Sequence, residues 1–308
     1  MGAIRSLALV PRALTPLALL AAALALIVPS TGFARDSDLL LAALVLATAL
    51  GISAADLARL RDHAVAVAVL SLAPFVVLAG LGWALGRAFG PGAVRDGLLA
   101  CGLSSSEVAS VGLVALAGAD ATIALGAVTG SLVVAALLGP IAIGWLGGSG
   151  AHADGAALLG RFALVVVLPL VAGVAVRSVA PRLARVDAQR DGLAALIVVV
   201  LVYASLSGEH GAHHLGAAVA AGAAFLAGSA LVAGLWRRRA ASPAAIPGAF
   251  AIGMRDFAVA AALATQAFGP GAGVVPGVYG VLMLVGGSVA VTALRAAPAS
   301  ASAAERES

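Results

Sequence analysis

The sequence predicts an all-α, polytopic membrane protein, and three observations carry that prediction. Of its 308 residues 62% are hydrophobic, and the mean hydropathy is +1.10, too apolar along its length for a soluble domain. The apolar residues fall in long runs approaching the roughly 20 residues of a helical span, not in the short alternation of an outer-membrane barrel. Lipid offers no partners to the backbone, so each such run must satisfy its own amide groups as a helix. Third, two of the runs are broken near their middle by glycine, serine and charge.

Ten runs read as spans: Leu14–Val28, Leu39–Ile52, Ala64–Gly86, Leu98–Gly118, Ala121–Leu146, Leu158–Val179, Gly192–Leu206, Leu215–Trp236, Pro243–Phe268 and Gly273–Leu294. The first follows Arg5 and Arg12 and precedes Thr31-Gly32-Phe33-Ala34, so it also reads as a signal peptide. Cleavage there would leave nine helices and an otherwise unchanged topology. Pro74, Pro140 and Pro169 lie inside spans and read as kinks. Connections are brief, as at Gly118-Ala119-Asp120 and Gly269-Pro270-Gly271. Asp120 follows a turn and precedes a span, the position of a helix N-cap.

The polar Gly147–Gly155 loop has five spans on either side, and the fourth of each five is the broken one. An odd number per half sets the halves in opposite senses, which defines an inverted repeat. The expected organisation is therefore residues 1–146 as the first five-helix repeat, 158–294 as the second, and 295–308 as a disordered cytoplasmic tail rich in Ala and Ser. Similarity between the repeats is weak, Glu107 to Val111 against Asp256 to Ala260.

The formal net charge of +4 comes from 18 arginines and no lysine. Numbering the loops alternately puts Arg5, Arg12, Arg59, Arg61, Arg177, Arg182, Arg185, Arg190, Arg237, Arg238, Arg239, Arg295 and Arg306 on one side. The other side collects Arg35, Arg87, Arg95 and Arg161, a division of 13 against 4. That bias fits ten helices in an inner or plasma membrane with both termini cytoplasmic. It also makes the arginines topogenic, so no nucleic-acid partner is implied. The single cysteine, Cys101, excludes an intrachain disulfide and reads as a small packing residue. Glu209, His210, His213 and His214 cluster in an outer loop with spacing too irregular to suggest a metal site.

The broken spans hold the chemistry. Leu98–Gly118 carries Gly102-Leu103-Ser104-Ser105-Ser106-Glu107 at its centre. Ser104 with Glu107 three residues on has the spacing of a capping box, opening a half-helix Val108–Ala117. A helix that begins in mid-membrane presents free N–H groups and a positive dipole end there. Serine hydroxyls can then bind a cation or a substrate, and Glu107 offers a titratable carboxyl. Pro243–Phe268 carries Gly253-Met254-Arg255-Asp256. Asp256 is placed to cap the half-helix after it. Arg255 either neutralises Asp256 or Glu107, or holds an anionic substrate in its guanidinium fork. Paired broken spans at matching places point to a transporter site.

These stretches resemble the bile acid:sodium symporter family over nearly the whole chain. The resemblance rests on Ala109-Ser110, Ala115 to Asp120, Leu137-Leu138-Gly139-Pro140, Gly253 to Asp256 and Ala260 to Ala264. It implies panel and core domains, with the fourth and ninth helices crossing beside a cytoplasm-facing substrate cavity. The family's sodium ligands are mostly missing. Ser110 matches its serine, but Val111 stands for an asparagine. Ala124 and Val128 stand where hydroxyls are expected, with Thr129 as a neighbour, and Ala251 replaces a glutamate. Arg255 brings a cation where the family has glutamine.

The substrate-binding candidates are Arg255, Ser105, Ser106 and Asp256; the ion-coupling candidates are Glu107, Ser110, Thr129, Met254 and Asp256. The reading is a secondary transporter of a small organic anion that does not require sodium and needs no cofactor beyond a co-transported proton or sodium ion. The alternatives are proton-coupled transport, uncoupled transport and a transport-like sensor or structural protein. An intramembrane enzyme is weakest, since there is no HExxH motif and no lysine for a Ser–Lys dyad.

Overall fold

The computed structural model describes residues 13–28, 30, 37–147, 155–207, 212–240 and 242–304. Thr31 to Ala34, Arg5, Arg12, Glu209 and His210 lie outside them. All regular structure among these residues is helical apart from one isolated bridge. Six stretches are long and apolar enough to cross a membrane: Ala54–Phe89, Ala121–Leu146, Gly155–Val179, Asp187–Ser207, Leu215–Arg239 and Pro270–Leu294. Shorter apolar helices are Leu14–Ile27, Asp38–Ala49, Pro243–Gly253 and Phe257–Phe268. The protein is a multi-pass membrane protein.

In chain order, α1 (Leu14–Ile27) and α2 (Ser37–Ala49) precede α3 (Ala54–Arg59), a short helix opened by a Ser53–Asp56 capping box. A 3-10 turn leads into α4 (Ala64–Phe89). The expected fourth span is two helices, α5 (Ala93–Leu103) and α6 (Ala109–Leu116). Next come α7 (Ala121–Leu146), α8 (Gly155–Phe162), a π turn over Ala163–Val167, and α9 (Leu168–Val179). The second half continues with α10 (Asp187–Ser207) and α11 (Ala212–Arg239). The expected ninth span is again two helices, α12 (Ser242–Gly253) and α13 (Phe257–Phe268), and α14 (Val274–Ala304) closes the chain. It runs past Leu294, where the tail was expected to begin; residues 305–308 lie outside the described residues.

The prolines behave differently from one another. Helix α4 continues through Pro74 and α7 through Pro140, both buried. Pro169 opens α9 directly after the π turn. The turn's extra residue per bond accommodates a ring that would otherwise meet the carbonyl four residues back. Asp120 caps α7 as expected, its carboxylate accepting from the Thr122 amide at 2.8 Å. Gly118, at φ 72°, makes the reversal before it in a region that side chains avoid.

Helices α1, α2, α9 and α10 pack with one another, while α4, α5, α7 and α11 to α14 pack around the two broken segments. Outward-facing positions stay apolar, as at Leu20, Val76, Leu164 and Leu231, which suits contact with lipid. Small residues let backbones meet inside. A Cβ on Gly102 would strike the Leu78 carbonyl, and one on Gly82 the Leu98 carbonyl, so α4 and α5 touch main chain to main chain. Substituting Gly102→Val should therefore cost about 1–3 kcal/mol through overpacking and lower the melting temperature in detergent. Gly112→Ala, whose methyl meets nothing within 4 Å, should be neutral. Equal melting temperatures for the two variants would contradict the close approach.

Candidate functional site

Helix α5 stops because its last turn is taken by side chains and by another segment. The Ser104 hydroxyl donates to the Cys101 carbonyl at 2.9 Å, and Ser104 itself is extended. Residues 105–107 then run antiparallel to residues 254–256, with Ser106 opposite Arg255. Two backbone bonds join them: the Glu107 amide donates to the Met254 carbonyl at 2.9 Å, and the Asp256 amide to the Ser105 carbonyl at 2.8 Å. The broken segments of the two halves thus satisfy each other at the centre of the protein.

Side chains take the groups that this bridge leaves over. The Ser106 amide donates to the Ser131 hydroxyl of α7 at 2.9 Å. The Ser106 hydroxyl donates to the Ala251 carbonyl at 2.9 Å. Tyr279 of α14 serves both edges of the second break, accepting from the Arg255 amide at 3.0 Å and donating to the Gly253 carbonyl at 3.3 Å. Phe225 stacks edge-on against its ring, with centroids 5.3 Å apart. Neither Ser131 nor Tyr279 stands out in the sequence: a lone serine and a lone tyrosine in apolar helices carry no local signal.

Asp256 caps α13 as expected, its Oδ1 accepting from the Ala258 and Val259 amides at 2.9 and 3.0 Å. The corresponding expectation for Ser104 and Glu107 is not met. The first turn of α6 is preceded by Val108, with no side-chain cap, and the nearest approach of Glu107 is a long 3.5 Å bond from the Ala109 amide. A capping box needs the helix to start right after Ser104, but residues 105–107 are held extended by their pairing with the other half.

The structure brings Ser105, Ser106, Glu107, Met254, Arg255 and Asp256 together, all buried. Glu107 lies close enough to Asp256 for the two carboxylates to feel each other's charge. Ser105 faces Asp256, but its hydroxyl makes no hydrogen bond of good geometry. Arg255 and Asp256 lie near enough to attract each other, but among the described residues no direct ion pair joins Arg255 to Asp256 or Glu107. Arg255 is only 1% exposed. Its Nη1 reaches the Ser106 hydroxyl at 3.4 Å, while Nε and Nη2 have no partner. Those two nitrogens form one edge of the guanidinium, the edge that grips a carboxylate with two parallel bonds.

Further polar atoms are buried and unpartnered here and on α7: Glu107 Oε2, Ser110 Oγ and Thr129 Oγ1. Buried polar groups normally find a partner, so this concentration marks a place suited to a polar guest. Ser110 donates its amide to the Glu107 carbonyl at 3.1 Å and so stays beside the crossing. Thr129 lies on α7, two residues from Ser131. Its hydroxyl makes no bond to the crossing. No group of His, Cys, Asp and Glu among the described residues is arranged to hold a metal ion.

Comparison with curated proteins finds no match. The model of the SBF-like CPA transporter family (DUF4137), a family related to the bile acid:sodium symporters, matches residues 13–272. That match covers most of the chain, including α5 with α6, α12 with α13 and the bridge between them, and the protein belongs to this family of transporters.

Proposed function

We propose that the protein is a secondary transporter of a small organic anion, and that Arg255 holds the anion's carboxylate or sulfonate group. The observation that carries this reading is the open Nε and Nη2 edge of a guanidinium buried at the crossing of two broken helices. A buried cation without a paired carboxylate is expensive, and an anion gripped by that edge would relieve it. Ser105 and Ser106 supply neighbouring hydroxyls, and the capped start of α13 adds its dipole. Because Arg255 is enclosed, the anion reaches it when the helices around the crossing part.

The ten-span, inverted-repeat topology with cytoplasmic termini belongs to the same proposal. Long-range contacts support it, because each joins span ends or loops that the arginine count puts on one side. On the inner side His63 meets Asp120 at 3.6 Å, and the Ala54 amide donates to the Ser178 hydroxyl at 2.8 Å. On the outer side Asp38 accepts from Gln266 at 2.5 Å and pairs with Arg161. Tyr203 donates to the Val28 carbonyl at 2.6 Å. The packing of α10 against α1 and α2, and of α9 against α2, supports a panel that meets the core through α13 and α14.

Sodium is not required in this reading. Val111, Ala124, Val128 and Ala251 supply no side-chain oxygen. The Ala251 carbonyl is engaged by Ser106 and the Met254 carbonyl by Glu107. A guanidinium in the same crossing would repel a second cation by about several kcal/mol at low effective dielectric. A proton needs one titratable group, and Glu107 and Asp256 are both at the crossing, with Ser110 and Thr129 beside or behind it.

Three measurements test this reading. Uptake of organic anions into proteoliposomes should fall for Arg255→Ala, with affinity lower by roughly tenfold to a hundredfold, the worth of hydrogen bonds to a charged group. Unchanged affinity in a well-folded variant would remove Arg255 from substrate binding. Replacing sodium with choline at fixed pH and membrane potential should leave uptake intact. Loss of transport, restored by sodium, would overturn sodium independence. Reporters fused after Arg239 and after Arg295 should both be cytoplasmic, and one placed within Glu209–His214 external. Finding the Arg239 and His213 reporters on one side would break the ten-span topology.

A further inference from the structure

We infer that the protein carries a binding site for an anionic phospholipid at the end where the 3-10 turn Leu60–His63 and the start of α4 face α11 and α12. A cavity of about 480 Å³ opens there, lined by Arg61, Asp62, Val65, Val69, Trp236 and Ala244 among others. It lies apart from the crossing and shares no residue with it. Its lining is of two kinds. Arg61, Asp62 and His63 are polar or charged, and Val65, Ala66, Val69 and Ala244 are apolar and continue into a stripe on α4.

Positive charge flanks the cavity. Arg61 lies in its lining, and Arg237, Arg238 and Arg239 follow the lining residue Trp236 on the last turn of α11 without being in the lining themselves. All four are exposed. Among the described residues none of the four has a carboxylate within ion-pair distance, whereas Arg59, Arg177 and Arg190 nearby are all paired. In the lining Arg61 stands with Asp62, and the three arginines that end α11 add charge beside it. His63, also in the lining, faces Asp120. A phosphodiester suits the guanidinium groups, and Asp62 can accept from the hydroxyls of a polyol headgroup.

The apolar wall identifies the ligand as a lipid and not a free phosphate. Val65 and Val69 line the cavity. With Leu72 and Val76 they recur at spacings of four, three and four residues, which is one face of a helix. All four are exposed, Val65 by 79% and Val76 by 68%. An acyl chain following this face would leave the cavity and run along α4 toward the membrane core. The Trp236 indole, in the lining, donates to the Ala244 carbonyl at 3.0 Å, which ties the end of α11 to α12. Tryptophan is enriched at membrane interfaces in general.

The test uses the full chain purified in detergent, with phosphatidylglycerol as probe, phosphatidylcholine as the neutral comparison, and lipid retention read by native mass spectrometry. Phosphatidylglycerol should be retained in preference. Arg61→Gln should weaken retention about fivefold, and the triple variant R237Q/R238Q/R239Q about a hundredfold, at roughly 1 kcal/mol per arginine. Arg182→Gln, an exposed arginine neither in the lining nor on an element that lines the cavity, should change nothing. Val65→Gln with Val69→Gln should weaken the lipid but not soluble glycerol phosphate. Equal retention of both lipids, unaffected binding in the arginine variants, or the same loss with Arg182→Gln would overturn the site. So would glycerol phosphate competing as well as the lipid. Should a variant fail to fold, a headgroup-photolabelled phosphatidylglycerol decides on the unaltered chain: adducts within residues 61–69 or 236–244 support the site, and adducts confined elsewhere overturn it. Neither outcome bears on Arg255 and transport.

Discussion

Two chain breaks buried among apolar helices must satisfy their backbone groups without water, and the rest of the protein is built around that requirement. An unpaired amide or carbonyl in such surroundings costs several kcal/mol. The bridge between residues 105–107 and 254–256 meets part of the demand by letting each break serve the other. Ser131, the Ser106 hydroxyl and Tyr279 meet much of what remains. Three further helices are thereby tied to the crossing: α7 through Ser131, α14 through Tyr279, and α11 through Phe225, which packs on the tyrosine ring. The close approach of α4 to α5 through Gly82 and Gly102 then holds the first break in place.

The same arrangement explains how a charged cluster exists there at all. Asp256 is stabilised by two amide donors at the start of α13, where the helix dipole favours a negative charge. Arg255 sits one residue earlier, its own amide held by Tyr279 and its side chain directed to the other half at Ser106. Asp256 is near enough to attract it without a direct ion pair, and one edge of the guanidinium is left open.

The interior and the periphery follow different rules. At the crossing, polarity is spent on satisfying the backbone, and what is left over is a small set of groups aimed inward. At the end of α11 the arginines are exposed and largely without partners, and their surroundings are water, headgroups and the exposed face of α4. One is a site of exact contacts in a dry place; the other relies on charge and an apolar path.

Much of the architecture was legible in the sequence. Hydropathy alone marks the spans, because a membrane demands long apolar helices whatever their neighbours. The breaks are visible because glycine, serine and charge are costly in the middle of an apolar run. Asp120 and Asp256 are readable as caps because capping is local, an aspartate reaching amides two or three residues on. Ser104 and Glu107 have equally good local spacing, yet no box forms, because a partner 149 residues away at the Ser106–Arg255 contact holds that segment extended. The same distance hides Ser131 and Tyr279, whose roles are hydrogen bonds to residues far away in the chain. The sequence by itself determined where helices run, where they break and which ionisable groups lie at the breaks, since those follow from transfer energies and local geometry. Only the tertiary structure decided which break pairs with which, and that Arg255 turns to Ser106 with an edge left open, since those depend on contacts between segments that no local rule connects.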